Sequence, residues 1–174
     1  LLASPNGKIT ADSLPNDPYF SSEWGLKNTS GSTAADLGME DMWDNFTDSS
    51  STVVAVIDTG VDYTHPDLAA NMLVNPGEIA GNGIDDDGNG YIDDVYGYDF
   101  SNGDADPMDD HFHGTHVAGT IGAVGDNGIG ITGVAWHAKI MALKFMNSSG
   151  SGWYSDAIEA IEYADKKNKS FLMA

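Results

Sequence analysis

The clearest pattern along the chain is an apolar run without polar interruption. Thr52-Val53-Val54-Ala55-Val56-Ile57 is rich in β-branched residues and ends at Asp58-Thr59-Gly60. A short apolar run bounded by turn residues predicts a strand buried on both faces. Lys139-Ile140-Met141-Ala142-Leu143-Lys144-Phe145 predicts a second strand, followed by a Gly/Ser-rich loop at 147–152. Between the two, His113-Gly114-Thr115-His116-Val117-Ala118-Gly119-Thr120 opens a helix whose small residues can pack closely on a sheet. It is expected to end near Val124-Gly125-Asp126-Asn127-Gly128. Beyond the loop, Ser155 or Asp156 caps another helix, with Ala157, Ala160, Ile161 and Ala164 on one face at i, i+3, i+4 and i+7. Strand, helix, strand, helix with short loops predicts an α/β fold, a parallel right-handed sheet with helices on both faces. No internal repeat interrupts this plan.

Composition narrows the chemistry. A chain of 174 residues fits one domain and can bury a real core without disulfide staples. It contains no cysteine, which excludes a thiol nucleophile, a cysteine zinc site and a disulfide framework. Its net charge of −20 comes from 27 acids against 7 bases, so nucleic acid and anionic membrane surfaces are poor partners. No apolar run approaches a membrane span, and Leu1-Leu2-Ala3 is too short for a signal peptide. The acids also cluster, which points to cation sites as well as to a solvated surface.

Residues 75–110 form an acidic, glycine-rich insertion. Asp85, Asp87 and Asn89 place oxygens at alternate positions, Gly90 stands sixth for a sharp turn, and Asp93 follows at the ninth. This matches the first half of a calcium-loop pattern, but Tyr96 occupies the place of the closing bidentate Glu, so Asp93 or Asp94 is the expected substitute. Carboxylates this dense repel one another unless neutralised, and calcium, which takes six to eight oxygens, suits them. Open α/β folds place their chemistry at the carboxyl ends of strands, where Asp58 falls. An aspartate there and a histidine, His113, at a helix start are two parts of an acyl-transfer triad. The rival for the histidines is zinc, because His111, His113 and His116 offer three imidazoles. They lack the i, i+4 pair with an intervening Glu that zinc peptidases use.

Three ordered motifs carry a family resemblance. Val56-Ile57-Asp58-Thr59-Gly60-Val61-Asp62, then His65-Pro66-Asp67-Leu68, then His113-Gly114-Thr115-His116-Val117-Ala118-Gly119 resemble the subtilisin-like serine peptidases, the subtilases, and in particular their calcium-dependent bacterial members. The resemblance runs from about Pro15 to about Ala164. It implies a secreted, extracellular serine endopeptidase that hydrolyses peptide bonds with an Asp-His-Ser triad in that chain order. Asp58 and His113 would be its catalytic members, and His116 would serve packing nearby. Residues 15–174 would be the N-terminal part of the peptidase domain, with 1–14 a propeptide remnant or linker.

The family pattern also assigns structural calcium. One site would use Asp17, Asp67, the Asn127 side chain and the carbonyls of Val124 and Ile131. A second would use the 85–94 loop, and Asp99, Asp104 and Asp106 would form another. Asp17 reads otherwise as an Asx turn between prolines. Gly150-Ser151-Gly152 resembles the strand edge that pairs with an extended substrate peptide, with Met146 and Tyr154 lining adjacent pockets. Without the family it reads as a mobile loop. Expected partners are protein or peptide substrates and the chain's own propeptide, with no nucleic acid, no membrane, and a monomeric state.

Two features stand against a complete enzyme within these residues. No Gly-Thr-Ser-Met run with a helix behind it occurs, nor a matching oxyanion Asn, and Ser148, Ser149 and Ser151 lie in the wrong context for a nucleophile. Lys166 to Ala174 departs from the course expected of the family, as a truncated or frame-shifted end would. The alternative reading is a non-catalytic calcium-binding fragment or pseudoenzyme.

Overall fold

Among the described residues, four parallel strands form one sheet in the order β2-β3-β1-β4. They are β1 (Val53–Asp58), β2 (Gly97–Asp99), β3 (Lys139–Lys144) and β4 (Phe171–Met173). Among the described residues three α-helices accompany them: α1 (Met39–Trp43), α2 (His113–Gly122) and α3 (Tyr154–Lys167). The computed structural model describes residues 14–28, 35–167 and 171–173, so the propeptide or linker expected at 1–14 lies outside it apart from Leu14. The α/β class and the parallel sheet expected from the sequence are observed.

The uninterrupted apolar character of β1 and β3 follows from burial on both faces. Val54, Val56, Ile140 and Ala142 point into one layer with Val61, Leu68, Met72 and Ala118 of α2. Ala55, Met141 and Leu143 point into the other, against Phe100 and Ala160, Tyr163 and Ala164 of α3. Alternate residues of each strand thus feed alternate layers. A third cluster of Phe20, Leu26, Met39, Trp43 and Trp136 holds the N-terminal segment, and the Trp43 indole donates to the Val134 carbonyl at 3.1 Å. Among the described residues no helix is long and apolar enough to cross a membrane.

Two expectations need correction. The buried face of α3 runs through Ala160, Tyr163 and Ala164, while Ile161 is exposed. The Tyr163 hydroxyl donates to the buried Asp94 carboxylate, which turns that ring inward and rotates the face away from Ile161. The helix begins at Tyr154, so Ser155 and Asp156 lie in its first turn rather than capping it. There the Asp156 charge complements the positive end of the helix dipole. The acidic insertion, in which the sequence pattern marked no strand, contributes β2, which pairs Gly97 with Ala142 and Asp99 with Lys144. Three residues among turn formers give too short a pattern to read as a strand.

Candidate active site

β1 ends in Asp58, and its last pairing is with Lys144 of β3. The chain then turns at Gly60, whose φ of 104° a side chain would strain. α2 starts beside this turn. Gly114 sits so close that a Cβ there would collide with the Gly60 carbonyl oxygen. Absence of that one carbon lets the helix bring His113 against the strand end. The His113 Nδ1 lies 2.9 Å from Asp58 Oδ1 and 2.8 Å from Oδ2. The Asp58 side chain is 11% exposed and the imidazole 55% exposed. The carboxylate is thus shielded while the opposite ring edge can meet a reactant. No serine among the described residues hydrogen-bonds to this ring.

A network that the sequence did not reveal surrounds the pair. The Thr59 backbone N–H donates to Asp58 Oδ1 at 2.6 Å. The Thr59 hydroxyl donates to Asp109 and accepts the Gly114 N–H, both at 2.9 Å. Asp109 also accepts the N–H groups of His111, Phe112 and Thr115 and the Thr115 hydroxyl. Burial works to raise the Asp109 pKa, yet these hydrogen bonds hold it below the ordinary aspartate value. Phe112, the residue before His113, has a φ of 100°, a conformation that costs a non-glycine residue energy. Lys144 is buried, and its ammonium donates to the carbonyls of Thr59 and Met146 and pairs with Asp110 at 2.6 Å. No local motif signals these roles, because each depends on residues from three separate elements.

The proposed substrate segment leaves from the same place. Phe145 and Met146 both donate backbone N–H groups to the Asp58 carbonyl, at 3.0 and 3.2 Å. Met146 then bridges Gly152 in antiparallel fashion, and Asn147 N–H bonds to the Ser151 carbonyl at 2.9 Å. Gly150, Ser151 and Gly152 therefore belong to a tight hairpin at the carboxyl edge of the sheet. Tyr154 is 91% exposed at the start of α3. A cavity of about 740 Å³ lies along the flank of α2 between His65, Leu68, His111, Phe112 and His116, and neither Asp58 nor His113 lines it. His111 stacks on Phe112 at 4.5 Å. The three histidines are not gathered into one ligand group among the described residues.

The acidic residues fall into three places. Asp17 accepts the N–H groups of Asp126 and Asn127 and the Thr132 hydroxyl, while Asp67 accepts the Asn127 amide and the Ile131 N–H. The Val124 N–H bonds to the Asp67 carbonyl, which brings that loop to the same spot. Glu23, which the sequence reading missed, joins them. Burial, with Asp17 and Asp67 nearby, pushes its pKa up. In the insertion, the side chains that converge are Glu78, Asp87 and Asp94, whose ligand oxygens lie within 4.8 Å of one another. Asp85 and Asp93 lie outside this group and accept backbone N–H groups, from Asn89 and Gly90 and from Asn82 and Gly83. Asn89 reaches the cluster by donating to Asp94. Asp87 and Asp94 of the linear pattern are thus in the converging group, and Glu78 joins them from outside it. Asp99, Asp104 and Asp106 do not converge. Asp99 binds Asn102, Asp104 the Asp106 N–H, and Asp106 the Tyr63 hydroxyl.

Comparison with known proteins identifies the family. A model of the subtilase family matches residues 49–173. The chain is 46% identical over 149 residues to subtilisin-like protease 1 of Plasmodium vivax, covering 85% of this chain and 23% of that protein. It is 39% identical over 163 residues to the thermophilic serine proteinase of Bacillus sp. strain AK1, covering 93% and 33%. Among solved structures, a protease of Pseudoalteromonas arctica matches with a TM-score of 0.62 and 33% identity over 86% of this chain and 43% of that one. The Aeromonas sobria serine protease, solved with its chaperone, matches with a TM-score of 0.66 and 25% identity over 90% and 25%. The chain therefore spans a quarter to a third of the length of these curated relatives. The family match continues to residue 173, and β4 pairs in parallel with β1. This corrects the expectation that the segment after Ala164 leaves the family's course. On these matches, the chain belongs to the subtilase family of serine proteases.

Proposed function

We propose that this chain supplies the aspartate and histidine of an Asp-His-Ser triad in a secreted, calcium-stabilised endopeptidase, with the serine lying outside residues 1–174. The observation that carries this reading is the contact of His113 Nδ1 with both oxygens of a shielded Asp58. With Nδ1–H donated to Asp58, the other ring nitrogen is left basic and open. It can take a proton from an attacking hydroxyl and return it to the leaving amine. Asp58 holds the tautomer and stabilises the imidazolium, and the Thr59 N–H keeps its carboxylate oriented. The hairpin at 146–152 would offer its Gly150–Gly152 edge to an extended peptide, with Met146 and Tyr154 beside it. A propeptide could occupy the same edge.

Calcium suits the donor sets. Glu78, Asp87 and Asp94 would hold one ion. Asp17, Asp67, Asn127 and Glu23, with the Val124 and Ile131 carbonyls, would hold a second. Bound there, the ion would supply positive charge that relieves carboxylate repulsion.

Labelling by a fluorophosphonate tests the assignment. This chain alone is expected to take up no label and cleave no casein, because no serine among the described residues hydrogen-bonds to the His113 ring. Joined after α3 to the serine-bearing remainder of the Bacillus sp. AK1 relative, it should do both. Label on the short chain would mean that one of its own serines is the nucleophile. An unlabelled but folded completed protein would favour the non-catalytic calcium-binding reading.

A further inference from the structure

We propose that Asp109 is a positioning residue for the Asp58–His113 pair and acts through the Thr59 hydroxyl. This rests on the peptidase reading of that pair, but its geometry stands apart from the serine. Thr59 touches both halves. Its N–H donates to Asp58 Oδ1, and its hydroxyl oxygen accepts the N–H of Gly114, the residue after His113. One residue thus fixes the carboxylate's rotamer and the start of the helix that carries the imidazole. A hydroxyl can do this only if its own proton points elsewhere, and it points at Asp109 Oδ1.

Asp109 is suited to hold it there. Oδ1 accepts Thr59, His111 and Phe112, and Oδ2 accepts the N–H and hydroxyl of Thr115. Five donors converge on one carboxylate. An asparagine of the same shape would turn two N–H donors toward groups that are themselves donors. The bond to the Phe112 N–H also pins the residue whose φ of 100° directs the chain into α2. Without Asp109 the hydroxyl is released to rotate, Gly114 loses a defined acceptor, and Phe112 is free to relax toward negative φ. Each change moves His113 relative to Asp58, whereas the sheet itself makes no use of Asp109.

The test is nuclear magnetic resonance of the 174-residue chain labelled with nitrogen-15. It reads the tautomer of His113 and the solvent exchange of its Nδ1 proton, and amide spectra verify the fold of every variant. Asp109→Asn and Thr59→Val are expected to speed that exchange by about tenfold or more, the effect of losing a hydrogen bond to a charged group. Thr59→Ser, which keeps the hydroxyl, should stay within about twofold of the parent. If Asp109→Asn folds and leaves the Nδ1 proton as it was, the proposal fails. Should that variant not fold, the Thr59 pair decides: loss in valine with retention in serine supports the relay, and equal behaviour of the two overturns it. These readouts need no turnover. Failure of fluorophosphonate labelling would sink the peptidase reading and leave this result standing.

Discussion

His113→Ala in the serine-completed protein is expected to lower kcat by a factor on the order of 10⁶, the magnitude found for the triad histidine of subtilisin, the family's namesake. In the proposed triad the ring bonded to Asp58 is the base, and the other histidines near it are placed for other contacts. His65 is committed to the Asp67 N–H at 3.2 Å, and His111 is stacked on Phe112. His116, three residues along α2, faces the cavity on the helix flank with His65 and Leu68. His116→Ala should therefore keep turnover within roughly tenfold of the parent, as befits a residue with no proton to transfer. Circular dichroism of both variants should match the parent, because the His113 side chain is half exposed and anchors no core. Equal loss in the two variants, or abolition of activity by a zinc chelator alone, would favour the histidine-metal reading.

Millimolar calcium is expected to raise the melting temperature of this chain by about 5–10 °C relative to a chelated sample. Ligand at a hundredfold excess over its Kd stabilises the folded state by about 2.7 kcal/mol, and each kcal/mol moves Tm by about 2–4 °C at this size. The folded state gathers the carboxylates that need neutralising. Glu78, Asp87 and Asp94 converge, and Asp94 is fully buried. Burial, with Asp17 and Asp67 close by, raises the Glu23 pKa, and burial raises that of Asp99.

The sign of the pH dependence follows. A carboxyl whose folded pKa is raised binds protons more readily folded than unfolded, so without calcium these groups add stability as pH falls from neutral toward their ordinary values of about 4. Protons and calcium therefore compete, and the calcium-induced shift should shrink on acidification. Asp87→Asn should remove part of the shift at neutral pH. Calorimetry showing the same Tm with calcium and with chelator would remove calcium from the account.

What could be read in the sequence was whatever lies on one continuous stretch. Asp58 sits at the end of an apolar run and His113 opens a helix motif, so each was placed before the fold was known. Their meeting required only that a parallel strand end and a helix start share one edge. The hairpin at 146–152 was legible as a loop for the same reason. What escaped notice arises between stretches. Glu78 joins Asp87 and Asp94 from outside the 85–94 stretch, where no spacing marks it as part of the loop pattern. Tyr163 rather than Ile161 faces inward because a buried acid 69 positions away attracts its hydroxyl. Thr59, Asp109 and Lys144 read as ordinary turn and strand residues until the fold stacks them around Asp58.

A double-mutant cycle on the serine-completed protein tests the central claim most directly, because it asks whether Asp58 and His113 work as one unit. Asp58→Ala alone should lower kcat by a factor on the order of 10⁴, and His113→Ala by about 10⁶. The double variant should be no slower than His113→Ala, since an aspartate with no imidazole to orient has nothing left to contribute. Losses that multiply, or an Asp58→Ala variant that turns over like the parent, would contradict the assignment of this pair.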